Sequence, residues 1–210
     1  MKIIAGLVLL CVAVTSAQLQ CEHRKPKVPT DWLDMVDPCV EKMRSQVMEE
    51  LKAAMQYMAM GAHFSKDSVN RLGFSKLFFE AASEEREHAI KLISYLLMRG
   101  ELTSKVSDLI KRSLSPQVST WDSGISALRD ALKLEASVTK KIRDVIITCE
   151  NAPSYNDYHL VDYLTGEFLE EQYKGQRDLA GKVSTLDKMM DKHGALGEYL
   201  FDKKLLSGDL

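Results

Sequence analysis

The chain has 210 residues, 45% hydrophobic and 28% charged, with 11 glycines and 5 prolines. That balance fits one folded, mainly helical domain and excludes collagen-like, disordered and β-sandwich chains. A net charge of −2 gives no bulk attraction to nucleic acid, so a nucleic-acid-binding module is excluded too.

Lys2 precedes an apolar run over residues 3–14, and Thr15-Ser16-Ala17 places small residues before Gln18. A positive start, about a dozen apolar residues and a small-residue site describe a secretory signal peptide over residues 1–17. The run is short of the ~20 apolar residues that cross a bilayer, and no other segment reaches that length, so no membrane span is expected. Cleavage would leave Cys21, Cys39 and Cys149 in an oxidising compartment, in the secretory pathway or outside the cell. An odd thiol count means one intramolecular bridge with a thiol left over, or bonds to another chain. Residues 18–38 read as an N-terminal arm, broken by Pro26, Pro29 and Pro38, and residues 39–210 as the folded domain.

From Val40 the apolar positions Met43, Val47, Leu51, Ala54 and Met58 recur in steps of three and four, which predicts a first helix to about residue 63. A second follows over about 74–98, with Gly100 at its end. Asp122 or Ser123 caps a third, which runs to Cys149. After a turn at 151–156, a fourth runs from about 157 to 192, and Gly194 separates it from a short fifth helix over 195–205. Short links make the first pair and the last pair antiparallel. The roughly twenty residues between Glu101 and Trp121 can reach about 60 Å, enough to run the length of such a bundle, so a crossover is favoured over a fold-back with a short helix at 106–111. The predicted fold is therefore all-α, an up-down-down-up four-helix bundle with one long crossover and a short fifth C-terminal helix. That order brings the start of the first helix and the end of the third together. Cys39 and Cys149 mark those positions and are predicted to pair, leaving Cys21 for a bond to another subunit.

Glu50 and Tyr57, seven apart, share the apolar face of the first helix. Glu85 and His88 stand i, i+3 on the second, Glu135 follows Leu134 on the third, and Gln172 lies beside Phe168 and Leu169 on the fourth. Each alone has a bland explanation, such as a solvated acidic face, an ion-paired glutamate or a hydrogen-bonded core histidine. Together they put an oxygen or nitrogen ligand on the core side of all four helices. Carboxylate bundles hold two irons with one Glu from each of two helices and Glu-x-x-His from the other two. Here the second Glu-x-x-His is replaced by Gln172 and Gly175. One metal would take Glu50, Glu85 and His88. The other would share Glu85 as a bridge with Glu135, and have the neutral Gln172 nearby. Few charged ligands and open positions suit Fe(II) as a passing substrate of dioxygen chemistry rather than a fixed cofactor.

The stretches Tyr57-Met58-Ala59-Met60, Glu84-Glu85-Arg86-Glu87-His88-Ala89, Trp121-Asp122-Ser123-Gly124 and Glu198-Tyr199-Leu200-Phe201-Asp202-Lys203 together resemble ferritin. The resemblance covers the chain from about Gln46 onward. It is greatest to the heavy-chain-type subunits of secreted, disulfide-containing insect ferritins, including residues 157–166. It implies a ferroxidase centre with Glu50, Glu85 and His88 on a first iron and Glu85, Glu135 and Gln172 on a second, with Tyr57 hydrogen-bonded beside them. It further implies oxidation of Fe2+ by dioxygen through a bridged diferric intermediate, and storage of Fe3+ as ferric oxide in a 24-subunit shell shared with a light-chain partner. At the threefold channels of the family, Asp162 fits the first acidic position but Thr165 stands at the second, with Glu167 close by. Glu84 and Glu87 fit mineral-nucleating carboxylates, and Ile90 replaces a third. Two other functions share the same framework, a secreted cytokine-like bundle and a silent shell subunit whose carboxylates are tied up in salt bridges.

Overall fold

Pro38 starts the first helix rather than delaying it, because a residue without an N–H is tolerated in a first helical turn. In this computed structural model, which describes residues 27–102, 109–110, 113–152 and 155–210, helix α1 spans Asp37–Ser65. Residues 31–210 form one compact unit, and 27–30 belong to a separate N-terminal one. The signal-peptide segment and Cys21 lie outside the described residues, as does most of 106–111. Helix α2 spans Leu72–Met98 and α3 spans Gly124–Glu150. The fourth rod is α4 (Tyr158–Tyr163), a π-helical segment over Leu164–Leu169, and α5 (Glu170–His193). Gly194, at φ 54°, turns the chain into α6 (Ala195–Ser207). Among the described residues no helix is long and apolar enough to cross a membrane.

The predicted order of directions is the one observed. Cys39 at the start of α1 is disulfide-bonded to Cys149 at the end of α3, with Cα atoms 5.0 Å apart. At the opposite end, the Phe74 ring near the start of α2 lies so close to Gly124 at the start of α3 that a Cβ there would meet it at 2.2 Å. Helices α2 and α3 therefore run parallel, which requires the long crossover. Its second half is pinned about two thirds of the way along α1. The Gln56 amide donates to the Val118 carbonyl at 2.7 Å and accepts from the Gln117 N–H at 2.9 Å.

Helix starts are secured locally in one case and from a distance in another. Ser123 caps α3 through a capping box with Ser126, as its position predicted. Helix α2 has no local cap. Its first N–H groups, on Gly73 and Phe74, donate to the buried Asp202 carboxylate of α6 at 2.8 and 3.1 Å. Glu198, one turn earlier on α6, accepts from the Gly124 N–H at 2.9 Å. The fifth helix is thus fastened by two carboxylates to the positive ends of two bundle helices.

The core falls into two apolar clusters. Cys39, Met43, Val47, Leu92, Ile142 and Leu160 belong to the one at the disulfide end. Phe64, Phe74, Phe78, Leu128, Leu186 and Phe201 belong to the other. Between them lies a polar belt.

Replacing Asp202 by Ala leaves two buried N–H groups without their acceptor. We expect a loss of about 1–2 kcal/mol, seen as a fall of about 2–8 °C in the Tm of a calorimetric scan. Asp202→Asn, which keeps an acceptor oxygen, should lose less. An unchanged Tm for the alanine variant would show that α6 does not cap α2.

Candidate metal centre

Six buried side chains with polar groups make the belt, from four helices. On α1 the buried stripe runs through Val47, Glu50, Ala54, Tyr57 and Phe64, with Glu50 at 0% exposure. Met58, expected in that stripe, is 45% exposed, so the face is turned toward Glu50 and Tyr57. Glu85 and His88 are buried on α2 and Glu135 on α3, where Leu134 is only partly so. Gln172, buried on α5, is delivered by the π-helical segment. Twelve residues of α-helix make three turns plus about 120°, which would turn Gln172 away from the core face that Leu160 occupies. The wider i→i+5 turns over Leu164–Leu169 absorb the excess, so Leu160, Leu164, Phe168 and Gln172 are all buried.

Glu50, Glu85 and His88 each offer a ligand atom, and these atoms all lie within 4.8 Å of one another. Three of their buried atoms, Glu50 Oε2, Glu85 Oε2 and His88 Nδ1, have no hydrogen-bond partner. Glu50 and His88 are held at their other edges. Gln46 Nε2 donates to Glu50 Oε1 at 2.9 Å. The Glu171 carboxylate, reaching over from α5, lies 3.3 Å from His88 Nε2. That contact favours a proton on Nε2 and leaves the Nδ1 lone pair free to bind. Tyr57 donates its phenolic hydrogen to Glu135. Thr139 Oγ1 lies 2.7 Å from Gln172 Oε1. All six residues singled out from the sequence come to this belt, in two groups. Glu50, Glu85 and His88 converge on one point, while Tyr57, Glu135 and Gln172 are linked by hydrogen bonds on the α3–α5 side.

The electrostatics point the same way. Burial pushes Glu50 well above the usual carboxylate range, and the facing Glu85 adds to the effect. Glu85 rises to about 8, through burial first and then the Glu135 charge. Glu135 is also raised by burial, against the hydrogen bonds of Tyr57 and Gln172 that favour its charged form. Burial and then Glu135 push the Tyr57 hydroxyl well above its ordinary value. Among the described residues no Lys or Arg forms an ion pair with Glu50, Glu85 or Glu135. Buried carboxylates without cations are costly, and a divalent metal ion is the partner that would satisfy all three orphaned atoms at once. Oxygen-rich donors with one imidazole can hold iron, as they can other divalent first-row metals.

Four supporting residues carried no role in the sequence reading, namely Gln46, Thr139, Glu171 and Gln176. Three had a signal, since Gln46 stands four before Glu50, Thr139 four after Glu135 and Gln176 four after Gln172. Asp162, Thr165 and Glu167 are exposed on the fourth rod, the last two within the π-helical segment. Glu84, Glu87 and Ile90 are exposed on α2.

Residues 40–189 match the model of the ferritin-like domain. The chain is 58% identical over 207 residues to the ferritin heavy chain of Papilio xuthus, covering 99% of this chain and 97% of that one. It is 56% identical over 207 residues to the ferritin heavy chain of Drosophila melanogaster, covering 97% and 99% respectively. The crystal structure of Trichoplusia ni secreted ferritin superposes with a TM-score of 0.86 at 62% identity, covering 90% of this chain and 98% of that one.

The raised carboxyls fix the sign of a pH effect. Between about 4.5 and 8 the metal-free fold holds a proton on Glu85 that the unfolded chain has lost. Its contribution to stability therefore falls as pH rises through that window. A divalent cation must displace this proton. Zn2+ binding at pH 7 is expected to release about one proton or more per chain, read calorimetrically in two buffers of different ionisation enthalpy, and to weaken as pH falls. Heats that do not depend on the buffer would contradict the protonated cluster.

Proposed function

The chain belongs to the ferritin family, and on that premise we propose that it is the ferroxidase-bearing subunit of an iron-storage shell. The observation that carries this reading is the buried cluster of Glu50, Glu85 and His88, which offers ligand atoms within 4.8 Å of one another and keeps three orphaned polar atoms with no Lys or Arg among the described residues paired to its carboxyls. A silent shell subunit would tie up such carboxylates in salt bridges, and the described ion pairs bring no Lys or Arg to Glu50, Glu85 or Glu135. A cytokine-like bundle has no use for the cluster at all.

Iron is the substrate here. Glu50, Glu85 and the His88 Nδ1 take one Fe(II), and Glu85 with Glu135 takes a second alongside, with Gln172 nearby. Glu85, placed between the two, holds both irons close enough for each to pass one electron to the same dioxygen. Protons displaced from the carboxyls are available to the reduced oxygen. Glu171 keeps the His88 ring turned so that Nδ1 is presented. Tyr57 holds Glu135 by its hydroxyl, whose proton burial and the Glu135 charge make harder to lose than an ordinary tyrosine's. Fe(III), a harder and more highly charged ion, then leaves for the mineral. We further propose assembly with homologous subunits, a light-chain partner among them, into 24-subunit shells, and passage through the secretory pathway directed by residues 1–17. The similarity to a secreted ferritin and the three cysteines of the mature chain support that route.

Aerobic oxidation of Fe(II), followed by absorbance, tests the reaction. The wild-type protein should oxidise Fe(II) rapidly and Glu85→Ala should fall close to the uncatalysed background, since both iron positions depend on Glu85. Equal rates would make these carboxylates scaffold. His88→Ala should slow oxidation by about tenfold or more and still elute as the assembled shell on gel filtration. Loss of assembly in that variant would assign His88 a structural role.

A further inference from the structure

Gln172 is a neutral amide at a position where the reaction needs an oxygen ligand, and its two ends are not equivalent. The side-chain oxygen is turned to Thr139 Oγ1 at 2.7 Å, and the amide favours the charged form of Glu135 by hydrogen bonding. In this arrangement the Gln172 carbonyl is already engaged and is not presented to a metal. Thr139 is itself buried and has a second acceptor, the Glu135 main-chain carbonyl one turn back, at 2.9 Å. Its oxygen also accepts from Gln176 Nε2 at 2.6 Å. A hydroxyl has one hydrogen and two lone pairs, so Thr139 can satisfy Gln172 in either orientation. With its hydrogen on Gln172 Oε1 it holds the amide NH2 toward Glu135. With its hydrogen on the Glu135 main chain it offers a lone pair to Gln172 Nε2, and Gln172 Oε1 then faces the carboxylates. Gln176 keeps its hydrogen bond in both states.

We propose that Thr139 is a positioning residue that lets Gln172 turn over, presenting NH2 to Glu135 when the second metal position is empty and Oε1 to the metal when it is filled. The turn loses no hydrogen bond at Thr139, so a neutral ligand can join the site without a buried polar atom being orphaned. The inference rests on the two-metal reading above and deepens it. It also explains why the second position tolerates a glutamine, since a second anion there would repel Glu135 whenever the metal is absent.

The test uses the purified full protein and Co2+, whose visible absorption reports its ligand set without turnover. Wild type should take up two Co2+ per chain in a tighter and a weaker step. Thr139→Val, close in size but unable to hydrogen-bond, should weaken the second step by about tenfold or more and change its spectrum, with the first step unaltered. Thr139→Ser should restore wild-type binding, and Thr139→Val added to Gln172→Ala should weaken binding no further than Gln172→Ala alone. A second step unchanged by Thr139→Val, or both steps weakened alike, would overturn the role of Thr139. A single step in wild type would overturn the two-metal reading with it, whereas failure of wild type to oxidise Fe(II), measured in parallel, would overturn the ferroxidase reading and leave the binding result standing.

Discussion

Three carboxyls and an imidazole sit in the middle of a helical bundle, with no Lys or Arg among the described residues paired to the carboxyls, and the rest of the architecture has to hold them there. Each buried ion costs several kcal/mol when left unpaired. A bundle with one continuous apolar core would expel such groups or collapse around them. The core is instead divided, with an apolar cluster on each side of the belt. The disulfide end is closed by Cys39–Cys149 across 110 residues of sequence. On a loop-entropy account a link of that span stabilises the fold by about 4–5 kcal/mol. The other end is closed by stacked aromatic rings, with Phe64 and Phe74 centroids 5.2 Å apart and Phe74 and Phe201 5.8 Å apart. The ends hold the backbones in place, so the belt can stay polar.

The same economy appears at the helix starts. Glu198 and Asp202 are one turn apart on α6, and each meets the positive end of a different bundle helix. Gly73 makes this possible, since a Cβ there would come within 1.9 Å of the Asp202 carbonyl oxygen. The last helix therefore acts as a clamp across the start of α2 and of α3, the two helices that supply Glu85, His88 and Glu135. Their axial positions set how the belt residues meet. A shift of one residue along α2 would move Glu85 by about 1.5 Å along the axis and 100° around it, out of reach of Glu50.

The six belt residues and the helix directions were legible from spacing because both obey simple periodicities. Glu50 and Tyr57 repeat at seven, Glu85 and His88 at three, and the length of the link after Glu101 favours parallel neighbours over a fold-back. Cys39 and Cys149 followed from those directions. Less legible was what holds each ligand. Glu171 belongs to an acidic pair that looks solvated, and only the tertiary approach of α5 to α2 brings it to His88. The π-helical segment was also hidden, because local propensity does not distinguish i→i+5 from i→i+4 turns. Its trace in the sequence is a run of core positions every four residues, from Leu160 to Gln172, kept up for longer than an α-helix can follow.

Asymmetry is the feature of the belt that a transit site requires. Toward α1 and α2 the donors are two buried carboxyls and an imidazole, Glu50 braced by Gln46 and His88 by Glu171, and each of the three has one atom unmatched. Toward α3 and α5 the donors are one carboxylate and one amide, already matched by Tyr57 and Thr139. A cation arriving at the first side relieves orphaned atoms, whereas one arriving at the second must displace existing hydrogen bonds. On the two-metal reading proposed above, the first position would accordingly be the tighter and the second the looser. Two strong positions would retain the oxidised product and stop turnover. On the proposed reading, a strong position beside a weak one, joined through Glu85, would let the pair form when both ions are present and come apart once the charge on the metals has changed.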